Sequence, residues 1–311
     1  MSARSAPAGL VAVLEIGGTH VTSGLVDTAR WELAGPVTRL PVPEGSADAV
    51  LDAFAAAARA TDTPGGTAWS VAIPDPFDYH RGVACFAPGG KFGELSGMDL
   101  RGALAARLGC PPTDIAFCHD AEAFLLGAWV CGHVTGAVRC AALTLGSGIG
   151  SAFLADGRLV HEHPGLPPGG RVHLLDLDGA PLEQTVSRAA VRRGYRRLTG
   201  QSLDVAQICA RARTGEPAAT AVLRHAYRGL GRALAPVLAG FDPDILVVGG
   251  SIAASWDLLA PFVAEGRAAA DAAWPPMTVS LDAHAALLGA AYHRVSGQPN
   301  PVPIGFGTLG R

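Results

Sequence analysis

The sequence predicts an α/β protein with two lobes, and three observations support this fold class. The 311 residues suffice for two domains with separate cores, because a domain usually contains about 100–200 residues. Two segments of one design, residues 11–27 and 140–154, each combine an apolar strand, a glycine turn and a second apolar strand. Segments with helical spacing alternate with such strands. A hydrophobic content of 49% with 16% charged residues excludes a disordered chain.

The first part of the chain is predicted to form a hairpin followed by alternating helices and strands. Ser46 can cap a helix that carries Val50 and Phe54 at helical spacing, and Asp99 stands near the start of another helix. Pro74 ends a buried strand, because proline interrupts strand pairing. The expected strands are 11–16, 21–27 with an extension over 31–40, 68–73 and 115–118. The expected helices are 47–60, 99–108 and one from residue 121 with a single face in the core.

The remainder is predicted to be mostly helical, apart from the second hairpin and two further strands. Pro236 is expected to end or kink its helix near the C-terminal end. The expected strands are 244–248 and 277–281, and the expected helices are 187–198, 203–213, 216–238, 255–273 and 284–294.

Three strands end in glycine turns, which we interpret as phosphate-binding backbone. The turns are Gly17-Gly18-Thr19, Gly146-Ser147-Gly148 and Gly249-Gly250. Glycine accepts a positive φ and carries no Cβ, so backbone amides can face a bound anion. None of the turns matches the P-loop or the dinucleotide pattern G-x-G-x-x-G, and a purely structural tight turn is the alternative for each. Three such turns could surround one nucleotide.

These turns belong to a wider set of motifs. Two further motifs accompany them, His119-Asp120-Ala121-Glu122 before a helix and residues 282–291. In order and spacing, the whole set resembles the motifs of the ROK sugar kinases of the actin-like ATPase superfamily, glucokinases among them. The resemblance covers nearly the whole chain. It implies a two-lobed actin-like ATPase (ribonuclease H-like) fold with a cleft between the lobes. It also implies a smaller N-terminal lobe at 1–118, completed by a C-terminal helix at about 285–311, and a larger lobe at 119–284.

The same resemblance implies an ATP-dependent kinase that phosphorylates a hydroxyl by direct transfer. That chemistry needs a base to take the hydroxyl proton as the new bond forms. Asp120 is the candidate base, because it stands at a strand-to-helix junction and matches the Asp of the family's Asn-Asp motif. By position alone, Asp120 could instead cap the helix that follows it.

The implied cofactors are ATP and Mg²⁺, the metal being carried with the nucleotide. Glu15 stands where the family has Asp and would act near the magnesium ion through water, or else is a charge at a strand edge facing solvent. The first two turns would hold phosphates, and the third would lie beside the adenosine. The residues so implied are Glu15, Gly17, Gly18, Thr19, Gly146, Ser147, Gly148, Gly249 and Gly250.

The residues implied to bind the acceptor depart from the family pattern. His119 replaces an Asn, Gly170 replaces a Glu, and the Asn that follows Ala-Pro is lost in the stretch that ends at Lys91. His173 and Glu183 match the family, although His173 could also be a packed loop histidine. Because Lys91 is the only lysine, it could be retained for acceptor binding or by chance. We therefore expect a modified hexose, an aminosugar or a cyclitol as acceptor, and glucose to be a poor one.

No structural zinc is expected. The family's zinc site needs one histidine and three cysteines, whereas residues 174–182 contain no cysteine. The pair His161 and His163 lies in a Pro/Gly-rich segment that is expected to be an exposed turn.

Composition argues against several other classes of protein. A net charge of −3 argues against nucleic-acid binding, and no apolar run reaches the about 18 residues of a transmembrane helix. Six scattered cysteines without C-x-x-C pairs favour reduced thiols and a cytoplasmic location. The expected partners are thus a small-molecule substrate and, by resemblance, a second copy in a homodimer.

Two other functions stay open at this point: a catalytically idle sugar-binding or regulatory protein, and an ordinary glucokinase. A repressor of the family would need a helix-turn-helix domain, and about ten residues precede the first predicted strand. The residues do not determine the acceptor, the hydroxyl phosphorylated, the nucleotide preference or the oligomeric state.

Overall fold

The computed structural model describes residues 9–134, 136–268, 274–282 and 284–302. The strands are β1 Leu10–Ile16, β2 His20–Asp27, β3 Glu32–Leu33, β4 Thr38–Pro41, β5 Ala68–Ile73, β6 Phe77–Asp78, β7 Val83–Ala84, β8 Ile115–His119, β9 Arg139–Leu145, β10 Ile149–Ala155, β11 Arg158–Leu159, β12 Asp176–Leu177, β13 Ala180–Pro181, β14 Ile245–Gly249 and β15 Met277–Val279. The helices are α1 Ala47–Arg59, α2 Leu100–Leu108, α3 Asp120–Val130, α4 Glu183–Val186, α5 Arg188–Thr199, α6 Val205–Arg213, α7 Pro217–Phe241, α8 Trp256–Ala268 and α9 Ala285–Ser296. None of these helices is long and apolar enough to cross a membrane.

Contacts divide the chain into two units, Met1–His133 with Ala283–Arg311, and Val134–Asp282. The sequence analysis placed the boundary at 118/119 and expected the N-terminal lobe to be the smaller one. In this division α3 lies in the first unit, which holds slightly more of the chain than the second. The reason is a long-range contact, because α3 packs on α9 from the end of the chain.

The first unit is built on a sheet in the order β3-β2-β1-β5-β8, with β4 also paired to β2. Strand β1 runs parallel to β5, and β5 runs parallel to β8. Side chains of β1 alternate between two cores: Leu14 joins the core that contains residues of α1 and α2, and Val13 joins the core that contains residues of α3 and α9. Glu15 has the same parity as Val13, so it belongs to the face of β1 that α3 and α9 cover.

Glycines allow α3 and α9 to cross at backbone contact. A Cβ on Gly127 would lie 1.8 Å from the carbonyl oxygen of Ala285, and one on Gly289 would lie 1.7 Å from that of Ala123. Such distances exclude any side chain at either position without separating the helices. This contact holds α3, and therefore the start of α3, against the sheet of the first unit.

The second unit is built on a sheet in the order β11-β10-β9-β14-β15. Strands β9 and β10 form the predicted antiparallel hairpin, and β14 runs parallel to β9. The core combines residues of β9, β10 and β14 with residues of helices α5 to α8, including Tyr195 and Tyr227, which are fully buried.

Most of the predicted elements are confirmed, and the differences have physical causes. The helix after residue 119 buries every residue from Ala121 to Ala128, including Glu122, instead of one face, because α9 covers it closely. Helix α7 continues beyond Pro236 to Phe241. Strand β15 ends at Val279, and the predicted continuation of α8 over 269–273 lies outside the described residues.

Candidate active site

Two carboxylates of the first unit, which interact electrostatically, lie at the carboxyl end of its parallel strands. Glu15 is the penultimate residue of β1, and Asp120 follows β8 directly. Burial raises the pKa of Glu15 to about 7, with repulsion by Asp120 as the second cause, while Arg39 and the hydroxyl of Thr22 lower it. Glu15 is half-buried, so the alternative of a solvent-facing charge at a strand edge does not describe it.

Asp120 is the first residue of α3, and the N-cap position belongs to His119, whose side chain makes no capping hydrogen bond. Its carboxylate accepts the amide of Ala121 at 2.8 Å, and Oδ1 lies 3.2 Å from Nε2 of His119. The Asp120 side chain is 31% exposed and that of His119 is 10% exposed. Asp120 is therefore oriented by its neighbours while part of the carboxylate stays accessible.

The pKa of Asp120 is raised above its ordinary value, chiefly by burial. His119 and the amide of Ala121 lower this pKa, whereas the carboxylates of Asp75 and Glu122 raise it. A raised pKa makes the ionised carboxylate a better proton acceptor, which is the property that a general base needs.

Asp75 is a residue of this edge that the sequence analysis missed. It follows β5, the strand between β1 and β8, and the hydroxyl of Tyr79 lies 3.1 Å from its Oδ1. Tyr79 is fully buried, and its ring lies edge-on to that of His119 with centroids 6.2 Å apart. The sequence shows Asp75 only as the residue after Pro74, which ends a buried strand. The signal that could have identified Asp75 is its position at the end of a central parallel strand, where ligands usually bind.

The first glycine turn directly follows β1. The amide of Gly17 donates to the carbonyl of His20 at 2.9 Å, which closes the turn through Gly18 and Thr19, and Thr19 is exposed. The φ of Gly17 is not in the left-handed region, so this turn uses the missing Cβ of glycine, which would lie 3.3 Å from the His20 carbonyl oxygen. The positive φ considered in the sequence analysis is thus not the reason for Gly17.

Lys91 is hydrogen-bonded to Val42, the residue that follows β4, beside this turn. Its ammonium donates to the carbonyl of Val42 at 3.1 Å, and the amide of Val42 donates to the carbonyl of Thr19 at 2.9 Å. The lysine expected to contact the acceptor is therefore linked to the first glycine turn through one backbone residue. Its expected contact with the acceptor stays a prediction.

The second glycine turn, at the tip of the β9–β10 hairpin, is in contact with Glu183. A Cβ on Gly148 would lie 2.2 Å from Oε1 of Glu183, and the amide of Ile149 donates to the Glu183 carboxylate. Burial raises the pKa of Glu183, and the Ile149 hydrogen bond lowers it. Gly146, whose amide donates to the carbonyl of Gly148 at 3.1 Å, and the exposed Ser147 complete this turn.

The third glycine turn lies beside the second, because β14 is parallel to β9. Gly249 pairs with Thr144, and Gly250 has a φ of 86°. A Cβ on Gly250 would lie 2.4 Å from the carbonyl oxygen of Leu145. Only glycine combines that backbone conformation with that approach, so the structural role of Gly250 is established, and it is compatible with a nucleotide contact.

The loop that carries His173 is anchored to β10. The hydroxyl of Ser151 donates to the carbonyl of Gly170 at 2.6 Å and accepts the amide of Val172 at 3.1 Å. His173 follows in a short 3-10 turn and is half-buried. Gly170, which stands where the family has a glutamate, has a φ of 70° that a glutamate adopts only with strain.

Among the described residues, no group of three or more His, Cys, Asp and Glu side chains could hold a metal ion. The pair of Glu15 and Asp120 fits a different case, since Mg²⁺ in nucleotide sites takes one or two carboxylates together with phosphates and water. The repulsion between Glu15 and Asp120, which raises the pKa of Glu15, is what a bound cation would relieve.

Comparison with known proteins gives the same family as the motifs. The sequence model of the ROK family matches residues 11–294. The chain is 27% identical to a glucokinase of Thermotoga maritima, over 79% of this chain and 83% of that protein. It is 28% identical to an N-acetyl-D-glucosamine kinase of Salmonella paratyphi B, over 76% of this chain and 82% of that protein. The crystal structure of a ROK family glucokinase from Streptomyces griseus in complex with glucose and AMPPNP superimposes with a TM-score of 0.71 at 21% identity, covering 91% of this chain and 98% of that one.

Proposed function

Because this chain belongs to the ROK family, we propose that it is an ATP-dependent kinase that phosphorylates a hydroxyl of a sugar or sugar-like small molecule. Two kinases with sugar acceptors, a glucokinase and an N-acetyl-D-glucosamine kinase, match more than three quarters of the chain. The similar Streptomyces griseus structure contains glucose and the nucleotide AMPPNP. These likenesses support a carbohydrate acceptor and ATP as donor.

The observation that carries this proposal is the position of Asp120 at the start of α3. In the reaction, the acceptor oxygen forms a bond to the terminal phosphorus of ATP as the bond between that phosphorus and ADP breaks. Asp120 takes the proton of the hydroxyl as this occurs. Its raised pKa, its accessible carboxylate and the fixed contact with His119 suit it to that role. His119 orients Asp120 and is proposed as an acceptor contact.

Glu15 would act near the magnesium ion that accompanies ATP, through water. Bound Mg²⁺ would neutralise charge on the phosphates. Glu15 must be ionised for this, and burial and Asp120 raise its pKa to about 7. A bound cation would favour the ionised form of this carboxylate. Beside it, the turn of Gly17, Gly18 and Thr19 offers backbone amides to terminal phosphates.

In the second unit, two glycine turns are proposed nucleotide contacts, and Glu183 and His173 are proposed acceptor contacts. Gly146, Ser147 and Gly148 present a hairpin turn to phosphates, and Gly249 and Gly250 lie next to it for the adenosine. Glu183, held against Gly148 and hydrogen-bonded by Ile149, would accept an acceptor hydroxyl. His173 is proposed as a second acceptor contact.

We propose a modified hexose, an aminosugar or a cyclitol as the acceptor rather than glucose. Three acceptor positions differ from the family pattern, namely His119, Gly170 and the stretch ending at Lys91. Each altered polar residue leaves a hydroxyl of glucose without its usual contact. Such a loss strongly lowers kcat/KM for glucose relative to a substrate that fits the altered residues. An ordinary glucokinase is the alternative, supported by the Thermotoga maritima relative.

A catalytically idle sugar-binding or regulatory protein is the second candidate. The altered acceptor residues favour it, whereas the accessible carboxylate of Asp120 and the intact glycine turns favour catalysis. Release of ADP that depends on an added acceptor distinguishes the two.

The expected setting is a homodimer in the cytoplasm. Cys118, Cys140 and Cys209 are buried free thiols, which agrees with a reducing compartment. Sedimentation at micromolar concentration tests the dimer, and a clean monomer would contradict it.

The decisive experiment measures ADP release with Mg²⁺ and ATP across sugars, aminosugars and cyclitols. We expect acceptor-dependent turnover that Asp120→Asn lowers by about 10²–10⁴-fold in kcat, the usual contribution of a general base. The variant should keep its fold and its affinity for ATP, because it changes neither the glycine turns nor the packing of α3. Turnover within a few-fold of the parent protein would show that Asp120 is not the base.

A further inference from the structure

Arg188 lies beside both glycine turns of the second unit, a position that no sequence motif indicated. It is the first residue of α5 and is half-buried. Its Nη2 donates to the hydroxyl of Ser251 at 3.0 Å, and Ser251 directly follows Gly250. A Cβ on Gly146 would lie 3.9 Å from the same hydroxyl oxygen. Ser251 therefore brings the guanidinium next to the turn at Gly146 and the turn at Gly250.

The charge of Arg188 is only partly matched by its neighbours. Its Nη1 lies 3.8 Å from Oδ1 of Asp204, which is beyond hydrogen-bonding distance. The carboxylate of Asp204 already accepts the amide of Gln207 as the cap of α6. The Nε of Arg188 is buried and makes no hydrogen bond in the structure. The Arg188 side chain as a whole is 28% exposed, so part of it is accessible to a ligand.

We propose that Arg188 binds the phosphate chain of the nucleotide, at the phosphates nearest the ribose. This inference rests on the proposed kinase function, and it names a nucleotide contact that the glycine turns alone do not provide. A guanidinium presents parallel N–H donors that match phosphate oxygens, whereas adenosine offers no anion. The turn at Gly146 is assigned to phosphates and the turn at Gly250 to adenosine. The guanidinium of Arg188 adjoins both turns, so it suits the phosphates that connect the terminal phosphate to the adenosine.

A purely structural role for Arg188 makes a different prediction. If the bond to Ser251 only fastened α5 to the third turn, losing it would disturb binding of the whole nucleotide. The affinities for adenosine and for ADP would then fall together. If Arg188 contacts a phosphate, its loss lowers the affinity for ADP alone, because adenosine has no phosphate.

Isothermal titration of the full chain with ADP and, separately, with adenosine tests the proposal. We expect Arg188→Ala to weaken the affinity for ADP by about 10- to 100-fold, the value of a hydrogen bond to a charged group. The affinity for adenosine should change by less than about 2-fold, since adenosine lacks the charge. Arg188→Lys should fall between the parent protein and Arg188→Ala for ADP, because it keeps the charge without the planar fork. The control is Arg196→Ala, an exposed arginine on the same helix, which should match the parent protein.

Two results would overturn the inference while leaving the kinase proposal intact. One is equal affinity of Arg188→Ala and the parent protein for ADP, with acceptor-dependent turnover present. The other is an equal loss of ADP and adenosine. Absence of ADP binding by the parent protein would instead overturn the kinase proposal together with this inference. If Arg188→Ala does not fold, Arg188→Gln, which keeps hydrogen bonding without charge, takes its place.

Discussion

The carboxylate of Glu183 lies so close to the backbone of Gly148 that a Cβ at Gly148 would stand 2.2 Å from Oε1. The amide of Ile149, the next residue, donates to the same carboxylate. One glycine thus joins a turn assigned to phosphates to a side chain assigned to the acceptor. A substitution there should affect the two substrates unequally.

We predict that Gly148→Ala raises the KM for the acceptor by about 10-fold and the KM for ATP by much less. The added methyl group displaces Glu183 from Ile149, and a hydrogen bond to a charged group is worth about that factor. Steady-state kinetics with each substrate varied in turn measures the two constants. The control is Gly194→Ala on α5, outside the proposed site, whose Cβ would lie 3.6 Å from the Val222 methyl groups, an ordinary contact. An unchanged KM for the acceptor in Gly148→Ala would remove Glu183 from the acceptor site.

The neighbours of Asp120 should shift the pH dependence of catalysis in opposite directions. If Asp120 is the general base, activity falls as the pH falls through the pKa of Asp120, which is raised above its ordinary value. His119 lowers that pKa and Glu122 raises it. His119→Gln should therefore move the acid limb of kcat/KM to higher pH, and Glu122→Gln should move it to lower pH.

The pH profiles of the parent protein and both variants supply the measurement. Glu15, with a pKa of about 7, also titrates, but it is common to all three proteins and cannot produce shifts of opposite sign. Shifts in the same direction, or none, would show that Asp120 does not govern the acid limb. Thermal melts at each pH exclude loss of folded protein as the cause.

Gly289→Ala should destabilise the first unit by about 1–3 kcal/mol, the usual cost of overpacking. Its Cβ would lie 1.7 Å from the Ala123 carbonyl oxygen and 2.5 Å from the Gly127 amide nitrogen, so α3 and α9 must separate. The matched control is Gly194→Ala on α5, whose nearest atoms are the Val222 methyl groups at 3.6 Å. This control should be neutral or stabilising by about 0.5–1 kcal/mol, because alanine favours helix. Calorimetric unfolding of both variants gives the comparison, and equal stability would mean that the close crossing is not as described.

The fold class could be predicted from the sequence because its signals are local. Alternating apolar residues and glycine turns identify the hairpins of β1–β2 and β9–β10, and the similar solved structures confirm the actin-like ATPase fold. The crossing of Gly127 and Gly289 could not be predicted, since it joins residues far apart in the chain. That same contact places α3 with the first unit and buries Glu122, a residue type that is usually exposed.

Motifs at family positions marked Asp120 and Glu15 in the sequence, and the roles given to them stay predictions. Residues that only the topology marks could not be found in this way. Asp75 lies between two prolines and becomes visible only once β5 is known to lie between β1 and β8. Arg188 is one of 23 arginines in the chain and lies in no recognised motif, and the bond to Ser251 is what distinguishes it.

The last prediction concerns the acceptor, and it follows from the backbone at Gly170. Its φ of 70° and the 3.2 Å that a Cβ would leave to the ring of Phe153 mean that the glutamate of the family cannot be restored there without strain. The acceptor edge near His173 therefore lacks one hydrogen-bonding carboxylate, and His119 presents an imidazole where the family has an amide. A site whose polar groups match a different set of hydroxyls rejects the wrong sugar by up to about 10⁴-fold. We expect kcat/KM for glucose to lie at least about 10²-fold below that for the best modified hexose, aminosugar or cyclitol, on the same principle. Competition between glucose and each analogue at fixed ATP, read by ADP release and by the phosphorylated product, measures this ratio. A kcat/KM for glucose that no analogue exceeds would mean that the three altered positions do not set the acceptor and that the protein is an ordinary glucokinase.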